Sequence, residues 1–137
     1  MRRNKRPLKV IGILFLTVVL GSAASAWAYE KSAHNGNGVR VTVKPTALVS
    51  DKAVTFDIRL NTHSVELDQD LIAVSELRDD KGRTYRPDQW KGSPPGGHHR
   101  KGTLIFPVLK ESAKSVTLII RDVADVPERV FTWKVEP

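Results

Sequence analysis

The chain has 137 residues, with 22 lysines and arginines against 15 aspartates and glutamates, and it contains no cysteine. This length fits one domain of ordinary size rather than two. The lack of cysteine excludes disulfides, iron–sulfur clusters, thiolate zinc sites, blue-copper sites and a lipid anchor on cysteine. The formal net charge of +7 raises the question of nucleic-acid binding, whose answer depends on where the charges lie.

The beginning of the chain predicts a signal peptide over residues 1–28. Residues 1–9 are basic without an acidic residue, residues 10–20 form an apolar run, and an Ala-Trp-Ala cleavage signal ends at Ala28. Cleavage there would make Tyr29 the first residue of the exported protein. The 19 uncharged residues before Tyr29 are also enough to span a bilayer, so an uncleaved anchor is the alternative.

Both interpretations predict export, to the periplasm or to the outer side of the cytoplasmic membrane. They also change the charge argument. Because five of the 22 basic residues lie in residues 1–9, residues 29–137 hold 17 basic against 15 acidic residues, a net charge of +2. A nucleic-acid binder keeps a strong basic excess in its folded domain. We therefore expect no nucleic-acid partner and no membrane contact beyond the N-terminal segment.

The exported part predicts an all-β domain over residues 39–137, after a flexible lead-in over residues 29–38 that is rich in Gly, Asn and Ser. Apolar and polar residues alternate with a period of two, as in half-buried strands. Asp79 to Gly82 predicts a hairpin turn. The predicted strands cover residues 39–43, 54–60, 71–77, 83–86, 103–108, 116–121 and 130–135.

About seven short antiparallel strands separated by turn residues are typical of an immunoglobulin-like sandwich. A small closed β-barrel is the alternative, because strand number does not separate the two. The predicted core comprises Phe56, Leu104, Phe106, Leu118, Ile120, Phe131 and Trp133.

The segment from Trp90 to Gly102 has the most unusual composition. Two prolines stiffen it, two glycines allow conformations that other residues avoid, and two histidines follow. It is either a structured connection across one end of the sandwich or a site for a ligand or protein partner. The residues predicted to bind are Trp90, Pro94, Pro95, Gly96, Gly97 and Arg100.

Histidine offers an alternative, a copper or zinc site built on His98, His99 and His63 with support from Asp68 or Asp70. This hypothesis requires the strand end at His63 and the histidine pair to lie at the same end of the sandwich. The acidic residues Glu66, Asp68 and Asp70 share one face of an extended segment and could also suit calcium. The simpler interpretation is a solvated strand face.

Catalysis has little support in the sequence. His63 and Ser64 are neighbours, so in a strand they diverge. The chain has no nucleophile-elbow, metalloprotease or phosphate-loop motif. We therefore expect a non-enzymatic protein.

Three stretches carry a resemblance: Leu60-Asn61-Thr62-His63-Ser64, the stretch from Trp90 to Arg100 with its PPGGHHR motif, and residues 126–131. They resemble those of small exported prokaryotic β-sandwich proteins of unassigned function. The resemblance implies a single extracytoplasmic domain and carries no activity with it. The predicted shape is also similar to cupredoxin-like domains, but the missing cysteine removes their usual copper site.

Two functions follow as expectations. The first is a non-enzymatic binding module of the cell envelope, which would act through an edge strand or the segment 92–102 and recognise an envelope protein. The second is a histidine-based copper or zinc protein.

Overall fold

A computed structural model describes residues 29–137, so the predicted signal peptide or anchor lies outside the described residues. The protein is all-β, with 60% strand and 4% helix. Within the described range no helix is long and apolar enough to cross a membrane. The elements are β1 (Ser32–Gly36), β2 (Val39–Ala47), β3 (Ala53–Thr62), α1 (Leu71–Val74), β4 (Ser75–Asp79), β5 (Thr84–Tyr85), β6 (Gln89–Gly92), β7 (His99–Val108), β8 (Ser115–Val123) and β9 (Val126–Lys134).

The strands form two antiparallel sheets. The first has five strands in the order β1-β2-β3-β7-β6, and the second has four in the order β5-β4-β8-β9. The sheets do not close on one another, so the barrel alternative is wrong. The described residues contain nine strands rather than seven, because β1 and β6 were not predicted.

The core lies between the two sheets, where alternate residues of each strand turn inward. All seven predicted core residues belong to it, with Trp133 partly buried at its margin. Phe56 of β3 packs edge-on against Phe106 of β7, with ring centroids 5.8 Å apart and an interplanar angle of 88°. The period-two pattern thus located the buried face correctly.

The predicted flexible lead-in is wrong for residues 32–36, which form strand β1 against β2. Two hydrogen bonds also hold the residues before this strand. The Tyr29 hydroxyl donates to the Leu48 carbonyl at 2.5 Å, and the Trp133 indole donates to the Glu30 carbonyl at 2.9 Å. Burial, reinforced by Glu136, raises the pKa of Tyr29 to about 12.

A buried arginine explains why β1 is ordered. Arg129 of β9 is 0% exposed, and its guanidinium reaches the β1–β2 hairpin. It donates to Nδ1 of His34 at 3.1 Å and to the carbonyls of His34, Gly36, Val39 and Val123 at 3.0–3.3 Å. These bonds join the hairpin of one sheet to the edge strand of the other, which the Gly- and Asn-rich composition did not reveal.

The predicted strand over residues 71–77 is only partly correct. Residues 71–74 form the short helix α1, and the strand β4 begins at Ser75. The Asp70 carboxylate caps the helix by accepting hydrogen bonds from the amides of Ile72 and Ala73. A single capped turn therefore replaces the start of the predicted strand.

The hairpin turn predicted after Asp79 is present and is built around that buried carboxylate. Asp79 accepts hydrogen bonds from the Arg83 side chain at 2.6 Å, from the Tyr85 hydroxyl at 2.8 Å and from the amides of Lys81 and Arg83. Burial works to raise the pKa of Asp79, but these hydrogen bonds outweigh it and the pKa is lowered. The network fixes β5 against β4.

Candidate functional site: a basic sheet face

The segment singled out by sequence is a tightly held hairpin loop between β6 and β7. The Gly96 amide donates to the Leu67 carbonyl at 2.8 Å, and the Leu67 amide donates to the Gly97 carbonyl at 3.0 Å. The Glu66 carboxylate accepts from the Gly97 amide at 2.9 Å. Both glycines have positive φ, 115° and 75°, which the loop needs to make these contacts. The loop thus matches the interpretation of a structured connection across the end of the sandwich.

The side chains of Trp90 and Arg100 stabilise this loop through hydrogen bonds to backbone carbonyls. Trp90 is half-buried, and its indole donates to the Ser93 carbonyl at 2.8 Å. Arg100 is 2% exposed, lies 5.9 Å from the Trp90 ring centroid and donates to the carbonyls of Leu67 and Gln69. Burial lowers the pKa of Arg100. Because the Trp90 indole and the two terminal nitrogens of Arg100 bond to backbone carbonyls around the loop, both side chains serve its structure.

The residues predicted to bind a metal lie near one end of the sandwich but do not form a cluster. The Thr62 amide donates to the His98 carbonyl at 3.0 Å, which places His63 and His98 at the same end as that hypothesis required. His99, however, lies on β7, where its Nδ1 bonds the Asn61 side chain at 2.9 Å. Asp70 is engaged as a helix cap. Within residues 29–137, no three His, Asp or Glu side chains are placed to hold one ion.

A different site stands out on the five-stranded sheet. Its outer surface carries six exposed basic side chains and one acidic residue, Asp57. The central strands set their positions, because Arg59 of β3 lies opposite Thr42 of β2 on one side and opposite Lys101 of β7 on the other. We call this surface the basic face, defined by Lys31, Arg40, Lys44, Arg59, Lys91 and Lys101.

The two sheets treat their charges differently. All four ion pairs found in residues 29–137 belong to the four-stranded sheet and its β4–β5 hairpin, and none includes a residue of the basic face. Arg121 of β8, for example, contacts Glu76 of β4 and Glu128 of β9 at 3.7 and 3.4 Å. The four-stranded sheet therefore pairs the outward Arg78 and Arg121 with glutamates, while all six cations of the basic face stay outside ion pairs.

Three shallow grooves meet at Arg59 on the basic face. The largest, about 520 Å³, runs between Lys31, Arg40, Lys44 and Arg59. A second of about 290 Å³ adds Lys101, and a third of about 280 Å³ reaches Lys91. Arg59 therefore lines all three grooves in which an anionic group could lie.

Little on this face offsets the positive charge. The Asp57 carboxylate lies opposite Lys44 and accepts a hydrogen bond from the Thr103 hydroxyl at 3.0 Å. Thr42 and Asn61, which line the largest groove beside Arg59, are neutral. Their hydroxyl and amide groups can donate hydrogen bonds to an oxyanion. The surface is thus rich in donors and suited to recognising negative charge.

Sequence reasoning missed this face because it summed charge over the whole domain. The net charge of +2 is correct as a total, but it adds the charges of one sheet with a basic surface to those of another sheet whose surface carries both acidic and basic residues. The alternation of inward and outward positions along each strand did contain a usable signal. The solvent-facing positions of β2 include Arg40 and Lys44, whereas those of β9 include Glu128 and Lys134. Comparing outward positions strand by strand would have shown the asymmetry.

The fold and the site together define an all-β, two-sheet domain with a basic outer face. Comparisons of the chain with protein-family models, with curated proteins and with solved structures gave no match.

Proposed function

We propose that the chain is an exported, non-enzymatic binding module, an immunoglobulin-like sandwich that holds an anionic partner on its basic face. The observation that carries the proposal is the distribution of charge over residues 29–137, where the six cations of the basic face lie outside any ion pair and the four ion pairs lie on the other sheet and its hairpin. Export rests on the signal-like residues 1–28.

The energetics of such a face favour anion binding. Exposed cations that lack a protein partner lose no ion pair when they meet a ligand. Binding of a polyanion also releases the counterions condensed on that polymer, which adds a salt-dependent driving force. A surface of one sign further steers the encounter with an oppositely charged partner.

Three buried groups whose pKa values are shifted serve the structure of the fold, which supports a role without catalysis. Asp79, Arg100 and Arg129 are all buried and bonded within the fold, to backbone or to neighbouring side chains. An enzyme more often places such groups in a cleft open to substrate. Asp79 maintains the β4–β5 hairpin of the four-stranded sheet, Arg129 the β1–β2 hairpin at the edge of the five-stranded sheet, and Arg100 the loop between β6 and β7.

The test is the salt concentration that elutes the full-length protein, purified in mild detergent, from a heparin column. A variant with Arg40→Gln, Arg59→Gln and Lys101→Gln should elute at clearly lower salt than the wild type. The matched control, Arg78→Gln, Arg86→Gln and Arg121→Gln, removes the same charge from the region of the four-stranded sheet and should elute near the wild type. Equal loss of retention in both variants would contradict the proposal, because net charge alone would then explain binding.

A further inference from the structure

The arrangement of cations within the basic face points to the class of anion. We infer that the ligand is a linear phosphate polymer, a flexible chain with a phosphate in each short repeat, which crosses the strands along Arg40, Arg59, Lys101 and Lys91. This inference rests on the proposed function and adds the chemistry of the partner.

The four residues lie on four adjacent strands. Arg40 of β2 is opposite Asn61, two residues along β3 from Arg59. Arg59 is directly opposite Lys101 of β7, and Lys91 of β6 is opposite Thr103, two residues from Lys101. The cations therefore follow a diagonal line over the sheet, which we call the cationic diagonal.

Strand geometry gives the spacing along this line. Side chains directly opposite have Cβ atoms about 5 Å apart, and diagonal neighbours about 7–8 Å apart. Four strands separated by about 4.8 Å spread the line over about 14 Å across the sheet. A single phosphate can contact neighbouring members only, whereas a chain of phosphates can contact the whole diagonal.

Among the described residues, the basic face exposes no aromatic side chain on which a base could stack and no large apolar side chain that could insert into a bilayer. The aromatic residues of its strands, Phe56, Trp90 and Phe106, turn toward the core. Proteins that hold single-stranded nucleic acid usually stack bases on exposed aromatics. The large apolar side chains that are exposed within residues 29–137 are Val108, at the end of β7, and Val130, on the other sheet. Insertion into a bilayer needs such groups on the binding surface. A phosphate chain needs neither.

Lys44 supplies a matched internal control. It is exposed on the same face, but it stands opposite Asp57 and off the cationic diagonal. Replacing it changes the net charge by the same amount as replacing Lys101. The two variants therefore separate a general effect of charge from a contact along the diagonal.

The experiment measures affinities of the full-length protein for tripolyphosphate, long-chain inorganic polyphosphate, heparin and oligo-thymidine at fixed ionic strength. Long-chain polyphosphate should bind at least about tenfold more tightly than tripolyphosphate, because successive phosphates bind as an intramolecular chain. It should also bind more tightly than heparin or oligo-thymidine of similar charge. Arg59→Gln and Lys101→Gln should each reduce the slope of log affinity against log salt by about 0.7–0.9, which is the change that the loss of one phosphate contact causes in nucleic-acid binding. Lys44→Gln should reduce it by less.

Three results would overturn the inference. Equal affinity for tripolyphosphate and the long chain would indicate a single-anion site. Tighter binding of heparin or oligo-thymidine would assign another polymer. Equal slopes for the Lys44→Gln and Lys101→Gln variants would show that the polymer does not bind specifically along the cationic diagonal. In each of these cases polyanion binding to the face survives, whereas failure of the triple variant to weaken binding to any polyanion would reject the proposed function itself.

Discussion

Arg59 on β3 stands directly opposite Lys101 on β7, with both side chains on the exposed surface of the five-stranded sheet. Like charges in this position destabilise a sheet, and cross-strand pairs are worth about 0.2–1 kcal/mol. Proteins often accept such a cost where a surface has a function. The pair therefore gives a direct test of whether the face was shaped for binding rather than for stability.

The first prediction concerns this pair. Lys101→Gln should raise the free energy of unfolding by about 0.5 kcal/mol at low salt because it removes a like-charge contact. The gain should shrink at high salt, where the repulsion is screened. Urea unfolding at the two salt concentrations measures both. Arg78→Gln on the other sheet, which loses a contact with Glu76, should not gain stability. A loss of stability in the Lys101→Gln variant would contradict the view that the pair is strained.

The second prediction concerns the arginine that joins the sheets. Arg129→Gln should lower the free energy of unfolding by about 3 kcal/mol, because several buried carbonyl groups of the β1–β2 hairpin lose their donor. Amide hydrogen exchange should increase first in β1. Arg129→Lys keeps the charge but offers fewer directed donors, so it should recover only part of the loss. Unchanged exchange in β1 would show that Arg129 does not hold the hairpin.

The third prediction concerns pH and Asp79. A carboxyl whose pKa is lowered by folding contributes stability above its unfolded pKa, and this contribution is lost as the pH falls through the folded pKa. The wild type should therefore lose stability below about pH 4. Asp79→Asn should cost about 1.5–3 kcal/mol at neutral pH and flatten the acid limb of the profile. Chemical unfolding of both proteins at a series of pH values from about 2 to 7, which spans the range in which Asp titrates, measures the two profiles. A parallel pH profile for the variant would exclude Asp79 as the source.

The fourth prediction concerns metals. Since the described histidines and carboxylates do not assemble three ligands, calorimetric titration with Cu(II) or Zn(II) should give no saturable micromolar binding. The variant with His98→Ala and His99→Ala should behave as the wild type. Saturable binding that the double variant abolishes would restore the histidine-based alternative.

Period-two alternation was enough to predict most of the architecture. The alternation of Val54, Phe56, Ile58 and Leu60 places four residues on one face, and all four are buried. Local pattern failed where distant contacts decide the structure. Residues 32–36 lack an apolar period, yet they form a strand against β2, and Arg129 donates to carbonyls of this hairpin from 90–95 residues away in the chain. Residues 71–74 look like a strand, but the Asp70 cap turns them into a helix.

The candidate site was less accessible to sequence than the fold. Trp90, Arg100 and the Pro-Gly loop attracted attention by their composition, and the structure uses all of them to close one end of the sandwich. The cations of the basic face are ordinary surface residues in the sequence. Only the pairing of β2, β3, β7 and β6 makes them neighbours.

The sequence by itself determined an all-β domain with two-faced strands, a signal-like N-terminal segment and a metal chemistry limited to histidine and carboxylate. These properties depend on composition and on the alternation of adjacent residues, which local chemistry fixes. The tertiary structure alone decided which charges meet. Residues far apart in the chain, such as Arg40, Arg59 and Lys101, share a surface because strand register aligns them. A domain with a net charge of only +2 therefore has a basic face, which the total charge of the sequence does not reveal.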